Sequence, residues 1–426
     1  MPFGQTTRNP ARDRAWWPVA AAMFLVAWGG NEFTPLLVLY RLTGLHAVVA
    51  DALLGAYVVG IIPALLLGGP LSDRCGRRPL LLPAAPIAAI GSLLLALGAT
   101  TPWLLGAGRV LSGVALGLVM AVGTTWVTEL GARQDDRALG ARRASLALTG
   151  GFLAGAGVAA ALAQWGPLPH RLTYVIHAVL TAVAGLWVLR VPETVAITPT
   201  LRAGRLRDDL RVPSVAHRRF LRVVLPVAPW VFGSVGVAYA VLPQLLTNHA
   251  GSIPIAFAGL MTVLTLGCGI GIQSLAKRID TPRSARASVI AMALVVVGMG
   301  LATLTASTRS LTHGLIAAAV LGVGYGLALV AGLSEVTRIA EPRHLAGLTA
   351  VYYSVAYLGF FVPMGLAWLA RAWSYPQMIA AGVALALICL AIVAVAWRAH
   401  LPGGDQDAPD VAADARVAVG AGATGR

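Results

Sequence analysis

The chain has 426 residues, of which 58% are hydrophobic and only 12% are charged, and its mean hydropathy is +0.77. Soluble globular proteins carry about 25% charged residues. Half of that charge cannot keep the surface of so long a chain in water. The composition therefore excludes a soluble enzyme, a nucleic-acid-binding protein and a disordered chain, although the formal net charge is +15.

Apolar stretches follow one another along most of the chain. A membrane-spanning helix needs about 20 mostly apolar residues. Six precede and six follow a polar, arginine-rich interval, which predicts an all-α membrane protein with twelve transmembrane helices. The first stretch is too long for a signal-peptide core and is expected to be retained. The predicted spans are Trp17–Tyr40, Asp51–Gly69, Leu80–Ala99, Trp103–Thr125, Ser145–Ala163, Leu172–Leu189, Leu221–Leu246, Ile253–Ala276, Ala287–Ala306, Leu311–Leu333, Ala346–Ala370 and Tyr375–Trp397.

Lysine and arginine are concentrated in alternate connections between these spans. With the N-terminus inside, 27 of the 32 fall in predicted cytoplasmic segments, four fall in outer loops and one, Arg109, lies within a span. Cytoplasmic loops of membrane proteins carry this excess. The asymmetry predicts a multi-pass membrane protein with both termini in the cytoplasm, and the membrane is expected to be the plasma membrane.

The same patterns predict five parts of the chain. They are an N-terminal tail (1–16), a first six-helix half (17–190), a cytoplasmic central loop (191–220) that includes Arg219, a second six-helix half (221–397) and a disordered tail (398–426). The three cysteines, Cys75, Cys268 and Cys389, have no metal-ligand or redox spacing, so no metal or cofactor is expected.

The connection between spans two and three has a distinctive sequence, Gly-Pro-Leu-Ser-Asp-Arg-Cys-Gly-Arg-Arg-Pro from residue 69 to residue 79. It predicts a helix end, a tight glycine turn and a new helix entered through Pro79. Membrane anchoring by positive charge would explain its arginines, but not its placed aspartate and glycine. The run resembles the loop motif of the major facilitator superfamily at every fixed position, namely Gly69, Asp73, Arg74, Gly76, Arg77 and Arg78.

Further runs support this resemblance. Arg109 and Gly113 in span four are similar to an R-x-x-x-G motif of the family, and Pro192-Glu193-Thr194 is similar to its P-E-T ending. Span five, in contrast, has Ala159 and Ala160 and no proline where drug/proton antiporters of the family carry a glycine–proline motif. Lys277 replaces the aspartate in the counterpart loop of the second half.

The resemblance implies two pseudo-symmetric six-helix halves around a central cavity lined by spans one, four, seven and ten. It implies a monomeric chain in the lipid bilayer that carries a small-molecule substrate by alternating access. It also implies that the Asp73 loop acts as a conformational latch, for which Glu129 at the end of span four is the expected gating partner.

Only two ionisable residues lie deep within the predicted spans, Glu32 in span one and Arg109 in span four. Such residues are costly in a membrane and mark functional sites. Their similar depth leaves two interpretations open. In one, they form a static ion pair that fixes the helices. In the other, both face the cavity, Glu32 exchanges a proton and Arg109 tunes that exchange or binds substrate.

Polar and aromatic residues of the predicted cavity spans are candidate substrate contacts, although helix packing is the simpler role for each of them. His177 and Gln164 are expected to be packing residues. The candidate contacts are Asn31, Trp126, Tyr239, Gln244, Tyr325, Tyr353 and Tyr357.

The sequence has no phosphate-binding glycine loop, so ion gradients rather than ATP are expected to drive transport. The favoured function is proton-coupled efflux of a small organic molecule. The alternative is proton-linked uptake or facilitated diffusion of a metabolite such as a sugar or an organic acid. A membrane-embedded enzyme is a weaker alternative, because Asp73 and Glu129 fit structural latches better than a catalytic cluster. A non-transporting sensor is also weaker, because both embedded charges, Glu32 and Arg109, are present.

Overall fold

A computed structural model describes residues 15–131, 137–195, 206, 210–341, 344–399 and 401. Nearly all of the N-terminal tail, much of the central loop and nearly all of the C-terminal tail lie outside these residues, and with them the predicted disorder of the C-terminal tail. Within the described part, the chain is helical and an isolated β-bridge joins Thr281 and Ser284.

Among the described residues, twelve apolar helices follow one another, which confirms the predicted all-α membrane fold. Eleven are long and apolar enough to cross a bilayer, and the sixth is a shorter apolar helix of 17 residues. The helices are α1 Trp16–Leu42, α2 Ala47–Cys75, α3 Arg77–Leu97, α4 Pro102–Gly131, α5 Arg137–Trp165, α6 Leu172–Val188, α7 Phe220–His249, α8 Pro254–Ile279, α9 Arg286–Thr308, α10 Leu311–Ile339, α11 Leu345–Leu369 and α12 Tyr375–Val395.

Helices α1–α6 and α7–α12 form two halves that repeat the same close packing. In the first half, α4 lies so near α2 that a Cβ added at Gly113 would come within 2.1 Å of the Tyr57 carbonyl oxygen. In the second half, a Cβ at Gly326 of α10 would come equally near the Gly269 carbonyl oxygen of α8. Only glycine allows these backbones to approach so closely, as is usual between membrane helices.

Helices α1, α4 and α7, which contribute to the centre of the bundle, are irregular. Helix α1 is interrupted at Glu32, where Pro35 has no N–H to donate to the carbonyl of Asn31. Helix α4 contains a π-helical segment at Val119–Gly123, and α7 contains one at Val237–Val241 as well as one at its start. Such segments rotate the side chains that follow them and are frequent at functional sites.

Successive helices run in opposite directions, so their connections lie alternately at the two ends of the bundle. We call the end that carries the α2–α3 connection the Asp73 end, and the end that carries the α5–α6 connection the Gln164 end. The expected motif loop is shorter than predicted, because α2 continues through Gly69 and Asp73 to Cys75 and the turn is made by Gly76 alone. Gly76 has a φ of 98°, which favours glycine.

Arg219, the residue before α7 in the predicted central loop, is bound by a side chain of the second half. It directly precedes α7 and is fully buried, because its guanidinium pairs with Glu335 of α10 and donates to the Ala399 carbonyl oxygen at 2.9 Å. Arg338 extends this pair, since it binds both Glu335 and Asp280, at 2.7 and 2.6 Å. Arg219 therefore connects the start of α7 to α10 and to the segment that follows α12.

Candidate transport site

A cavity of about 280 Å³ lies between the two halves. Its walls come from both halves and reach toward the Asp73 end, where Ser145 and Thr149 of α5 face Gln273 of α8 and Leu333 of α10. None of the described residues that line this cavity carries a formal charge. A space of this kind suits an organic molecule that is largely apolar.

Aromatic side chains form one wall of the cavity. The ring of Phe232 stacks on Tyr357 and Phe360, with centroids 4.4 and 5.0 Å apart. Tyr57 of the first half meets Tyr357 and Phe360 edge-on at 6.4 Å. The wall therefore crosses the boundary between the halves, and flat apolar surfaces are offered to any occupant. Its aromatic members are Tyr57, Phe152, Phe232, Tyr239, Tyr325, Tyr353, Tyr357 and Phe360.

Two polar atoms in the wall have no hydrogen-bond partner among the described residues, namely the Tyr57 hydroxyl and the Gln273 side-chain nitrogen. Asn31 is held differently, because its amide donates to the Phe152 carbonyl oxygen at 3.1 Å and its oxygen accepts from Thr34 at 2.8 Å. Buried polar atoms almost always have a hydrogen-bond partner, so a ligand is a natural partner for these two. Tyr57 and Gln273 are thus the polar groups best placed to bind a substrate.

The structure places five of the seven predicted contacts at the cavity: Asn31, Tyr239, Tyr325, Tyr353 and Tyr357. The other two lie elsewhere. Trp126 is fully buried among core side chains of the first half, and Gln244 lies near the Gln164 end of α7.

Several lining residues were missed by the sequence reasoning. Tyr57 lies in a span that was not expected to line the cavity, and Phe232 looks like any apolar residue of span seven. Met120 lies in the π-helical segment of α4, whose position the sequence does not signal.

Glu32 and Arg109 do not line the cavity, contrary to the expectation that both face it. They are also not joined by a hydrogen bond or by an ion pair within 4.0 Å in the described structure, so the static-pair interpretation is not what the geometry shows. Both are fully buried within the first half, at 0% and 1% exposure. Asn31 faces the cavity, whereas the next residue, Glu32, points away from it.

Arg109 contacts residues of the cavity wall from inside the first half. Its guanidinium donates to the carbonyl oxygens of Leu53 at 3.3 Å and Gly30 at 3.2 Å. It also stacks on the rings of Tyr57 and Phe33, with the guanidinium carbon 4.3 and 4.8 Å from their centroids. Cation–π contacts of this kind stabilise a desolvated cation by about 2 kcal/mol. The buried cation is thereby in contact with Tyr57 and Gly30, which line the cavity.

Glu32 is surrounded by hydroxyl groups and a histidine from α3 and α6. Ser92 donates to one carboxylate oxygen at 3.1 Å, and Thr173 donates to the other at 3.4 Å. His177, expected to be a packing residue, has its Nδ1 3.6 Å from Glu32 and 2.7 Å from the Ser92 hydroxyl. A carboxyl group is therefore held in the membrane interior with hydrogen-bond partners but no adjacent ion.

Asp51, Arg219 and Glu335 are further buried ionisable residues, and they lie toward the two ends of the bundle. Asp51 pairs with Arg41 at the Gln164 end, where Asp51 is 1% exposed. Glu335 pairs with Arg219 at the Asp73 end. Each of these acids has an arginine beside it, whereas Glu32 has none in contact.

At the Asp73 end, Arg77 joins the motif to the end of α4. Its guanidinium pairs with Asp73 and lies 3.0 Å from Glu129, the predicted gating partner. The Thr194 hydroxyl also donates to Glu129. Among the described residues, these bonds of Asp73, Arg77 and Glu129 stay within the first half, where they join the ends of α2, α3 and α4 to the segment that follows α6.

Glu193, from the P-E-T run, explains the glycine of the motif. Its carboxylate accepts the backbone N–H groups of Arg77 and Arg78 at 3.0 and 2.8 Å, which caps α3. A Cβ at Gly76 would lie 2.6 Å from this carboxylate. Burial alone would raise the pKa of Glu193, but the backbone N–H donors outweigh it and hold that pKa below its ordinary value.

At the Gln164 end, one side chain bridges the two halves. The Gln164 amide of α5 donates to the Ser252 carbonyl oxygen at 3.0 Å. Its oxygen accepts the N–H groups of Ile255 and Ala256, at 3.0 and 3.1 Å, in the first turn of α8. Nearby, a Cβ at Gly259 would come within 2.1 Å of Ala160. The halves are therefore tightly closed at this end.

The fold and the motif define a transporter family, not an enzyme. The profile of the Major Facilitator Superfamily matches residues 19–362, and the chain belongs to this family. A solved structure of a POT family transporter in complex with 5-aminolevulinic acid superimposes with a TM-score of 0.68 at 13% identity, covering 90% of this chain and 95% of that one.

The proteins with similar sequences match only part of this chain. The multidrug transporter MdfA of Yersinia pestis is 32% identical over 194 residues, which are 45% of this chain and 43% of that protein. The facilitated glucose transporter member 10 of Mus musculus is 38% identical over 92 residues, 21% of this chain and 17% of that protein. The chain thus matches less than half the length of either relative.

Proposed function

We propose that this protein exports a small, largely apolar organic molecule in exchange for protons, by alternating access of the central cavity. The halves 17–190 and 221–397 would move against each other as a monomeric carrier in the plasma membrane. The asymmetry of lysines and arginines supports a cytoplasmic position for the Asp73 end and for both termini.

The observation that carries this proposal is that Arg109 contacts Tyr57 and Gly30 of the cavity wall and also acts electrostatically on Glu32. A charged carboxyl is unfavourable in the membrane interior, whereas a nearby guanidinium favours it. A substrate that contacts Tyr57 or Gly30 changes the surroundings of Arg109, and Arg109 lies within electrostatic reach of Glu32. Substrate in the cavity and a proton on Glu32 are thereby linked through one cation.

The chemistry of the cavity supports an apolar substrate over a peptide or an organic acid. Charged substrates need paired charges when they are desolvated, and the described lining offers aromatic rings, Asn31 and Gln273 instead. The partial similarity to a multidrug transporter points in the same direction. Sugar transport is the competing candidate, which the partial similarity to a glucose transporter supports.

Transport in proteoliposomes tests the proposal. An imposed pH gradient should drive movement of flat aromatic compounds, and these compounds should compete with one another, while sugars and organic acids should not compete. Movement of a sugar without competition by aromatic compounds would contradict the proposed substrate class. Movement of any substrate at an unchanged rate without the pH gradient, and without proton flux, would contradict the coupling.

A further inference from the structure

We propose that Glu32, Ser92 and His177 form a one-proton unit, in which Ser92 relays the coupling proton between the carboxyl group and the imidazole ring. This inference rests on the proposed function in that it assigns the residues that hold the exchanged proton. It follows from the donors and acceptors that meet at Ser92.

The orientation of His177 is fixed by its far nitrogen. Nε2 lies 2.8 Å from the Leu25 carbonyl oxygen, which can only accept, so Nε2 carries a proton. Thr181 lies 3.0 Å from the same nitrogen. The ring lies against Gly29 of α1, where an added Cβ would come within 2.4 Å of it. In the neutral ring, Nδ1 is therefore an acceptor.

Ser92 has one hydroxyl hydrogen and two neighbours that need it. Its oxygen lies 2.7 Å from Nδ1 of His177 and 3.1 Å from Oε1 of Glu32. If Glu32 is ionised and His177 is neutral, the hydroxyl can donate to only one of two acceptors. The other acceptor then faces an oxygen lone pair in a buried site, which is unfavourable.

One added proton satisfies every contact, in either of two arrangements. In the first, the Glu32 carboxyl donates to Ser92 and Ser92 donates to Nδ1 of His177. In the second, Glu32 has given its proton to Ser92 while the hydroxyl proton of Ser92 has moved to Nδ1, which leaves a carboxylate and an imidazolium. The two arrangements contain the same number of protons and the same total charge.

The surroundings of this unit contain a few other titratable or charged groups. Among the described residues these are Arg109 from α4, Tyr40 from α1 and Tyr174 from α6, and the hydroxyls of the two tyrosines are bonded to each other at 3.1 Å. They do not contact Ser92. His177 therefore reaches Glu32 through Ser92, because the direct distance from Nδ1 to Oε1 is 3.6 Å.

Infrared titration of the purified protein tests the unit without transport. The C=O stretch of protonated Glu32 is identified as the band that disappears in Glu32→Gln. His177→Leu should lower the midpoint of this band's titration by about one pH unit. The reason is that protonated Glu32 leaves the Ser92 hydroxyl free to donate to Nδ1 of His177, whereas ionised Glu32 takes that hydrogen bond for itself. In a Ser92→Ala background, the same substitution should shift the midpoint by less than a third of that amount.

Equal shifts in both backgrounds, or no shift in either, would overturn the proposal. Ser112→Ala is a matched control, because this buried hydroxyl donates only to the Gly108 carbonyl of its own helix. If His177→Leu fails to fold, Ser92→Ala alone remains decisive. In that variant the protonated Glu32 carboxyl group loses the Ser92 oxygen as its hydrogen-bond acceptor, so the C=O band of Glu32 should move to higher wavenumber. An unchanged band would contradict the relay, whereas transport by Glu32→Gln would contradict only the proposed function.

Discussion

The guanidinium of Arg109 lies 4.3 Å from the centre of the Tyr57 ring, and that ring forms part of the wall of the central cavity. A fully buried cation is thus separated from the cavity by one aromatic side chain. On its other side lies the α1 segment that carries Glu32. This arrangement connects the space for a substrate to the site proposed for the proton.

The Tyr57 ring should be more important for coupling than the Tyr57 hydroxyl. Tyr57→Ala removes a cation–π contact of about 0.5–2 kcal/mol and should lower proton-coupled transport by about two-fold to about thirty-fold. Tyr57→Phe keeps the ring over Arg109 and should change the apparent affinity for substrate while the number of protons per substrate stays the same. Transport rates and proton flux in proteoliposomes measure both effects. Loss of coupling in Tyr57→Phe, with normal coupling in Tyr57→Ala, would contradict a role of the ring in coupling.

Asp73 should be required for turnover but not for insertion. Asp73→Asn removes the carboxylate partner of Arg77 on α2 and leaves Arg77 bound to Glu129 and to the Ser72 hydroxyl, which weakens the connection between α2 and α4. Because Asp73 is largely exposed, the pair itself adds about 1 kcal/mol or less to stability, so expression should be normal while transport falls several-fold. Asp280→Asn is the matched control in the second half, since its partner Arg338 retains Glu335. Wild-type transport by Asp73→Asn at equal expression would exclude the latch.

Gln164 should hold the Gln164 end closed. Gln164→Ala removes three hydrogen bonds between the halves, and a loss of 1.4 kcal/mol would make opening of this end about ten-fold more frequent. Val263 of α8 lies opposite Gly157 of α5, where an added Cβ would be 3.5 Å from it. A cysteine at Val263, placed in a variant without the three native cysteines, should then react faster with an impermeant maleimide. Gln164→Glu keeps the acceptor for Ile255 and Ala256 and should react at nearly the wild-type rate. Equal reaction rates in Gln164→Ala and in the parent would show that the bridge does not control opening.

Cys75 should report the orientation of the protein. It is exposed at the Asp73 end, at the last residue of α2 and in a position that the motif leaves variable. An impermeant maleimide should label it in everted membrane vesicles and leave it untouched in right-side-out vesicles, while Cys75→Ser should transport normally. Labelling from the outside would reverse the proposed topology, and every loop assignment with it.

The fold was predictable because its signals are local. Twelve apolar stretches and the motif from Gly69 to Arg78 are continuous in the sequence, so helix number and family follow from them. The ends of α2 and the burial of Arg219 were not predictable, since they depend on partners such as Glu335 that lie far away in the chain.

The site was only partly predictable for the same reason. Aromatic residues of spans seven, ten and eleven were found because they stand out in apolar helices. Glu32 contacts Ser92, which is 60 positions away in the sequence, and His177, which is 145 positions away. No local sequence pattern predicts contacts over such separations. A buried histidine and serine look like packing residues until the fold brings them to a carboxyl group.

The most direct test of the account is proton-coupled transport by Glu32→Gln in proteoliposomes. This variant keeps the volume of the side chain and its capacity to bond to Ser92, but it cannot bind or release a proton. The account predicts that it folds, binds substrate and exchanges it across the membrane, yet no longer accumulates substrate when a pH gradient is imposed. Accumulation by well-expressed Glu32→Gln at the wild-type level would contradict the assignment of Glu32 as the site of the coupled proton.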